Sequence, residues 1–164
     1  MDTGKNFERW REITTFEQVV EACGDDSYLR SEYMTCNPDS SYCHQLNYTM
    51  VRYAIDRGCR LNPHARWYTP TLMLLTERQE RFGDPVGVVT GYGEEYCVYP
   101  GEPECVGAQA VSTGHSLLYV RFPVTYNQLA VTSTDKARHI SRYFARELFL
   151  AIYGWLDYEW EDVR

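Results

Sequence analysis

Lysine is nearly missing from this 164-residue chain: Lys5 and Lys136 are the only two, beside 14 arginines. From Phe82 to Val120 there is no lysine or arginine, while Asp84, Glu94, Glu95, Glu102 and Glu104 fall in that stretch. The net charge of −7 works against long-range attraction to a polyanion, which demotes direct nucleic-acid binding. Long apolar runs are also missing. The start, MDTGKNFERW, has no apolar signal core and no later run reaches transmembrane length, so a soluble, cytoplasmic protein with no membrane partner is the default expectation.

Catalytic and cofactor signatures are scarce as well. The tripeptide HIS at 139–141 is half of a two-histidine phosphoesterase pattern, but that chemistry needs two copies on strands, one histidine as base and one as acid. VTGYGEE has glycines but no lysine and no following helix, so it reads as a turn between strands and not as a phosphate loop. Zinc could draw on Cys36, Cys43, Cys59 and His64, yet their C-x6-C-x15-C-x4-H spacing misses the tight pairs that zinc sites use. Cys43 is moreover needed on an apolar helix face. In a reducing compartment the six cysteines, including Cys23, are expected as free core thiols, with no metal and no cofactor. Outside such a compartment, Cys97 and Cys105, flanking VYPGEPE, are the pair expected to cross-link.

What is plentiful is aromatic: 15% of residues, with 14 Tyr and 4 Trp, side chains that combine apolar area with a polar handle and recur at interfaces. Charge alternates along the chain in blocks, and the ending WLDYEWEDV interleaves acids with aromatics.

Punctuation predicts the elements. A helix follows Thr14 as cap, with Glu17 three residues on and Gly24 as stop; Phe16, Val19, Val20 and Cys23 share one face. A short helix spans Ser27–Met34, and a stronger one runs from Ser40 or Ser41 to Arg57, with Cys43, Leu46, Met50 and Ala54 inward, joined by Tyr53. TPTLMLLTERQERFG predicts another helix, with Thr69 as cap, Pro70 at its first position and Gly83 past its end. VGVVTGYG, EYCVYPG and HSLLYVRFPV predict two or three antiparallel strands. A long last helix begins at Thr134 or Asp135, its apolar stripe running from Ala137 to Trp155 and Arg138, Arg142 and Arg146 on the opposite face. It is expected to end near Leu156, since carboxylates beyond that point oppose the helix dipole. The order implies an α+β fold: N-terminal helices, a small central antiparallel sheet and a long C-terminal helix, one compact domain over 1–164 with 157–164 as an acidic-aromatic tail.

The function these features suggest is a non-enzymatic interaction protein that binds, and inhibits, a protein partner with a basic, nucleic-acid-handling surface. Small acidic inhibitors such as viral anti-defence proteins share the profile, a likeness of profile alone. The expected contact residues are Glu94, Glu95, Tyr96, Glu102 and Glu104 in the central loop, and Asp157, Tyr158, Trp160, Glu161 and Asp162 in the tail: aromatics anchor while carboxylates steer. Three alternatives stand beside it. One is a self-associating structural subunit using Leu148–Tyr153; another is a small enzyme with a Cys/His site that includes His115. The third is nucleic-acid binding through the stretch from Arg52 to Arg66 and the Arg138/Arg142/Arg146 stripe.

Overall fold

A computed structural model of the chain describes residues 9–56, 66–106 and 129–163. Cys59, His64, His115 and the predicted strand HSLLYVRFPV lie outside them. The described residues form five α-helices and two small antiparallel sheets, a mixed α+β arrangement. None of their helices is long and apolar enough to cross a membrane.

The first two helices begin where a side chain can satisfy their free amides. In α1 (Phe16–Ala22) the cap is Thr15, not Thr14, because Gln18 closes the capping box by reaching back to the cap's own amide. Asp26 caps α2 (Ser27–Thr35), its Oδ1 accepting from the Leu29 amide at 3.0 Å. Helix α3 (Ser41–Asp56) is the centre of the molecule. Beyond the stripe predicted for it, α3 also buries Tyr48, Val51, Ile55 and Asp56, because α1, α2 and both C-terminal helices pack around it. Tyr48 is fully enclosed and donates its hydroxyl to the Leu129 carbonyl at 2.7 Å. Asp56 accepts from the Thr132 amide (3.1 Å), the Thr132 hydroxyl (2.5 Å) and Lys136 Nζ (2.7 Å). This buried, fully bonded carboxylate ties the end of α3 to the segment that enters the next helix.

The long C-terminal helix expected from sequence is in fact two: α4 (Thr134–Tyr143), capped by Ser133, and α5 (Ala145–Tyr153). They divide at Phe144 (φ −125°, ψ 31°), which is buried in the main core. No glycine or proline marks this break. It lets α4 lie against the sheets while α5 packs on α3, and it sends the last member of the predicted stripe, Trp155, out to solvent with 72% exposure.

A second correction concerns residues 70–83, where the predicted helix is absent. Trp67–Thr69 is strand β1, Leu72–Leu75 is β2, and only a short 3-10 turn follows at Glu80–Phe82. The apolar run LMLL suits either state, and pairing with β4 (Glu94–Pro100) decides: Leu72 to Leu75 register with Pro100 to Cys97. β1 pairs with β5 (Glu104–Val106) in a two-stranded sheet. The larger sheet runs β2-β4-β3-β6, with β3 at Gly87–Gly91 and β6 at Glu159–Glu161.

Candidate interaction surface

Strands β3 and β4 are joined by a two-residue turn, Tyr92–Gly93, as expected for VTGYGEE. Both residues have positive φ, 53° and 79°, as a tight hairpin turn with the right twist requires. Glycine takes that conformation freely, whereas a tyrosine there is strained by its Cβ. Tyr92 is nevertheless 66% exposed, its ring meeting that of Tyr158 in an edge-type contact with centroids 5.2 Å apart.

The sheet places the two acidic segments side by side, with β3 between them. Thr90 pairs with Glu95 on one side and Glu159 on the other; Val88 pairs with Cys97 and Glu161. Directly paired residues share a face, so Glu95, Glu159 and Glu161 all project from the outer side of the sheet. All three are exposed, and among the described residues none has an ion-pair partner. Half-buried Met73, Leu75, Val88 and Cys97 continue this face toward β2.

The inner face explains why the tail lies here. Val89, between Tyr96 and Trp160, packs with Val98 against Phe149 of α5. Tyr158 and Trp160 lie over Gly91 and Gly87, where any Cβ would overlap their rings. Phe149 is the hub, with ring centroids 5.2 Å from Tyr153 and 5.7 Å from both Tyr158 and Trp160. Helix α5 ends at Tyr153, and the chain turns back through Gly154 to make β6. Tyr153 and Trp155 at that turn are exposed, and Tyr153 with Tyr92 flanks Tyr158 on the inner side of the sheet, opposite the face that carries the acids.

The predicted contact residues are thus divided by the fold. Glu95 and Glu161 lie on the outer face of the larger sheet, whereas Glu94, Tyr96 and Trp160 alternate onto the inner face, and Asp157, Tyr158 and Asp162 flank β6. Tyr96 donates its hydroxyl to Glu94 (3.0 Å), which pushes its phenol pKa up, and the Trp160 indole donates to Asp162 (2.8 Å). Glu102 and Glu104 stand apart. Glu102 meets Arg138 of α4 at 3.1 Å, and Glu104, on β5, lines a largely apolar cavity of about 480 Å³ with Leu72, Leu74, Leu129, Phe149 and Ile152. Tyr92 is the feature that sequence reasoning passed over; its only signal is a bulky residue between the two glycines of GYG.

The other candidates are committed to packing or ion pairs. Arg138 also contacts Asp135 at 3.6 Å, and the Arg142 guanidinium lies over Tyr143. His139 stands edge-on to Trp10 at 5.2 Å, and its Nε2 donates to the Ile13 carbonyl at 2.7 Å; burial lowers its pKa. Among the described residues no group of three or more His, Cys, Asp and Glu converges as a metal site would. Of the apolar stretch 148–153, Leu148 and Phe149 are buried within the chain, between α3 and the sheet, and Tyr153 is exposed. No family model matches the chain, and no curated protein or solved structure matches it.

Proposed function

We propose that this chain is a non-enzymatic interaction protein whose acidic-aromatic surface docks on the basic surface of a protein partner. The carrying observation is Tyr92: an exposed aromatic held in a left-handed turn, two and three residues before the exposed Glu94 and Glu95, where glycine or asparagine would serve the fold better. Glu95, Glu159 and Glu161 supply a field that speeds encounter with a positive surface and rejects acidic ones, while Tyr92, Tyr153 and Trp155 supply rigid apolar anchors. Where the partner's basic surface is a nucleic-acid groove, carboxylates seated in it compete with phosphate, so binding inhibits. Glu102 and Glu104 are peripheral in this reading, since Glu102 already faces Arg138.

The test is capture of partners from source-cell lysate on the immobilised chain, at stepped salt, with wild type, Glu95→Gln/Glu159→Gln/Glu161→Gln and Tyr92→Asn compared. The proposal expects the same partner to be lost at least tenfold from both variants and to leave the wild type steeply with salt. Equal retention by all three proteins would contradict it.

A further inference from the structure

The corner between α2 and α3 carries two cysteines that the interaction surface does not use. Cys36 is the C-cap of α2, and Cys43 is the third residue of α3. Their Sγ atoms lie 2.7 Å apart, inside the contact distance of two unbonded sulfurs and about 0.7 Å from the roughly 2.05 Å of a disulfide bond. The corner is held independently of the sulfurs. Asn37 Oδ1 accepts from the Asp39 amide (3.0 Å), the Asn37 carbonyl accepts from the Ser40 hydroxyl (2.7 Å), and Ser40 Oγ accepts from the Cys43 amide (3.1 Å). Both thiols are therefore delivered to one place by helix ends and a short hydrogen-bonded turn.

We propose that Cys36 and Cys43 are a dithiol oxidation site that closes to an intramolecular disulfide. The two sulfurs have different roles. Cys36 is half-buried and within reach of a small oxidant, whereas Cys43 is buried, and burial together with the Cys36 contact pushes its pKa up to about 11. With a small-molecule disulfide as oxidant, the Cys36 thiolate attacks one of its sulfurs and releases the first small thiol. Cys43 then gives up its proton and attacks Cys36 Sγ, displacing the second. Two protein thiols and one small disulfide become one protein disulfide and two small thiols, so electrons and protons balance. The other described cysteines are placed differently. Cys23 points its thiol at the Met50 carbonyl (3.4 Å) in the core. Cys97 and Cys105, the pair favoured by sequence, are free thiols on strands of different sheets.

The chain itself supplies a clean assay. Trypsin cutting after Arg30 and Arg52 releases Ser31–Arg52, which contains Cys36 and Cys43 and no other cysteine. Full-length protein is equilibrated with reduced and oxidised glutathione at stepped ratios, quenched in acid, alkylated and digested. The proposal expects this peptide, under oxidising ratios, to be two hydrogens lighter than the dithiol and to take up no alkyl group. It expects the melting temperature of the intact protein to rise by about 5–10 °C on oxidation, from the entropy of closing a short loop, and Cys36→Ser to abolish that rise. A peptide that stays doubly alkylated at every ratio would overturn the proposal. So would one that stops at a glutathione adduct on Cys36, because Cys43 would then have failed to resolve it.

Discussion

Around α3, among the described residues, 16 buried side chains from helices, the N-terminal turn and the 129–131 segment form one connected cluster; beneath the larger sheet the buried cluster is Val89, Val98 and Phe149. On the helical side Tyr48, Trp10 and Phe144 are buried, whereas Tyr28 and Tyr42 on α2 and α3 are exposed. Tyr48 donates to Leu129, Trp10 covers His139, and Phe144 fills the break between α4 and α5. On the sheet side the aromatics divide. Phe149 and Trp160 hold the sheet to α5 and Tyr153, partly exposed, packs on Phe149, while Tyr92 and Trp155 are largely exposed. The larger buried cluster is thus the helical one, and the smaller lies beneath the sheet. That asymmetry, with Tyr92 exposed at the hairpin tip, supports the proposal of a contact surface on the sheet.

The sharpest way to break this comparison is at its joint. Phe149→Ala removes the ring on which Tyr153, Tyr158 and Trp160 converge and is expected to cost about 3–5 kcal/mol in chemical denaturation. Amide exchange of that variant should quicken first in β3, β4 and β6 and last in α3. Uniform quickening would mean that the two regions are one cooperative unit.

Asp56→Ala probes the helical side alone. It leaves Lys136 without its carboxylate and Thr132 without its acceptor, and the expected loss is about 3 kcal/mol. Protection in β3 and β4 should change less than in α3 and α4.

Acidification should act in the same region through His139. Burial holds its pKa below 6.5 in the folded chain, so the unfolded chain binds the proton first. Stability is therefore complete above pH 6.5 and falls as the pH drops below that value toward the lowered folded-state pKa. Glu147 acts in the opposite sense: burial raises its pKa above 4.5, so its ionisation penalty is relieved as the pH falls toward that value. Melting curves between pH 7.5 and 5 should show the His139 loss in the wild type and not in His139→Phe, with Trp10 fluorescence reporting it. The smallest effect is expected at Ser141, whose hydroxyl is buried in α4 without a hydrogen-bond partner among the described residues. Ser141→Ala should be neutral or slightly stabilising in the same melts.

The helical side was the more legible in sequence because its signals are local. The short helix predicted over Ser27–Met34 is α2, capped by the adjacent Asp26, and the 41–56 helix was predicted nearly to its ends. Where the outcome depended on a distant partner, the sequence was silent or misleading. LMLL followed a cap and a proline that read as a helix start, yet β4, some 25 residues on, makes it a strand. The division at Phe144 has no breaker residue; it separates α4, which meets β1 and β4, from α5, which packs on α3. The acids of 94–95 and 159–161 were each visible, but their meeting across β3 depends on β6 pairing some 70 residues from its neighbour in the sheet.

The most direct test of the central claim is the stability of Tyr92→Asn. Asparagine accepts the left-handed conformation more readily than tyrosine, and the ring contact to Tyr158 is worth about 0.5–1.5 kcal/mol. If Tyr92 is there for contact and not for folding, these effects cancel, and the unfolding free energy stays within about 0.5 kcal/mol of wild type or rises. A loss of about 2 kcal/mol or more would show that the hairpin tip is held by packing, and the sheet's exposed aromatics would lose their claim to be a surface free for a partner.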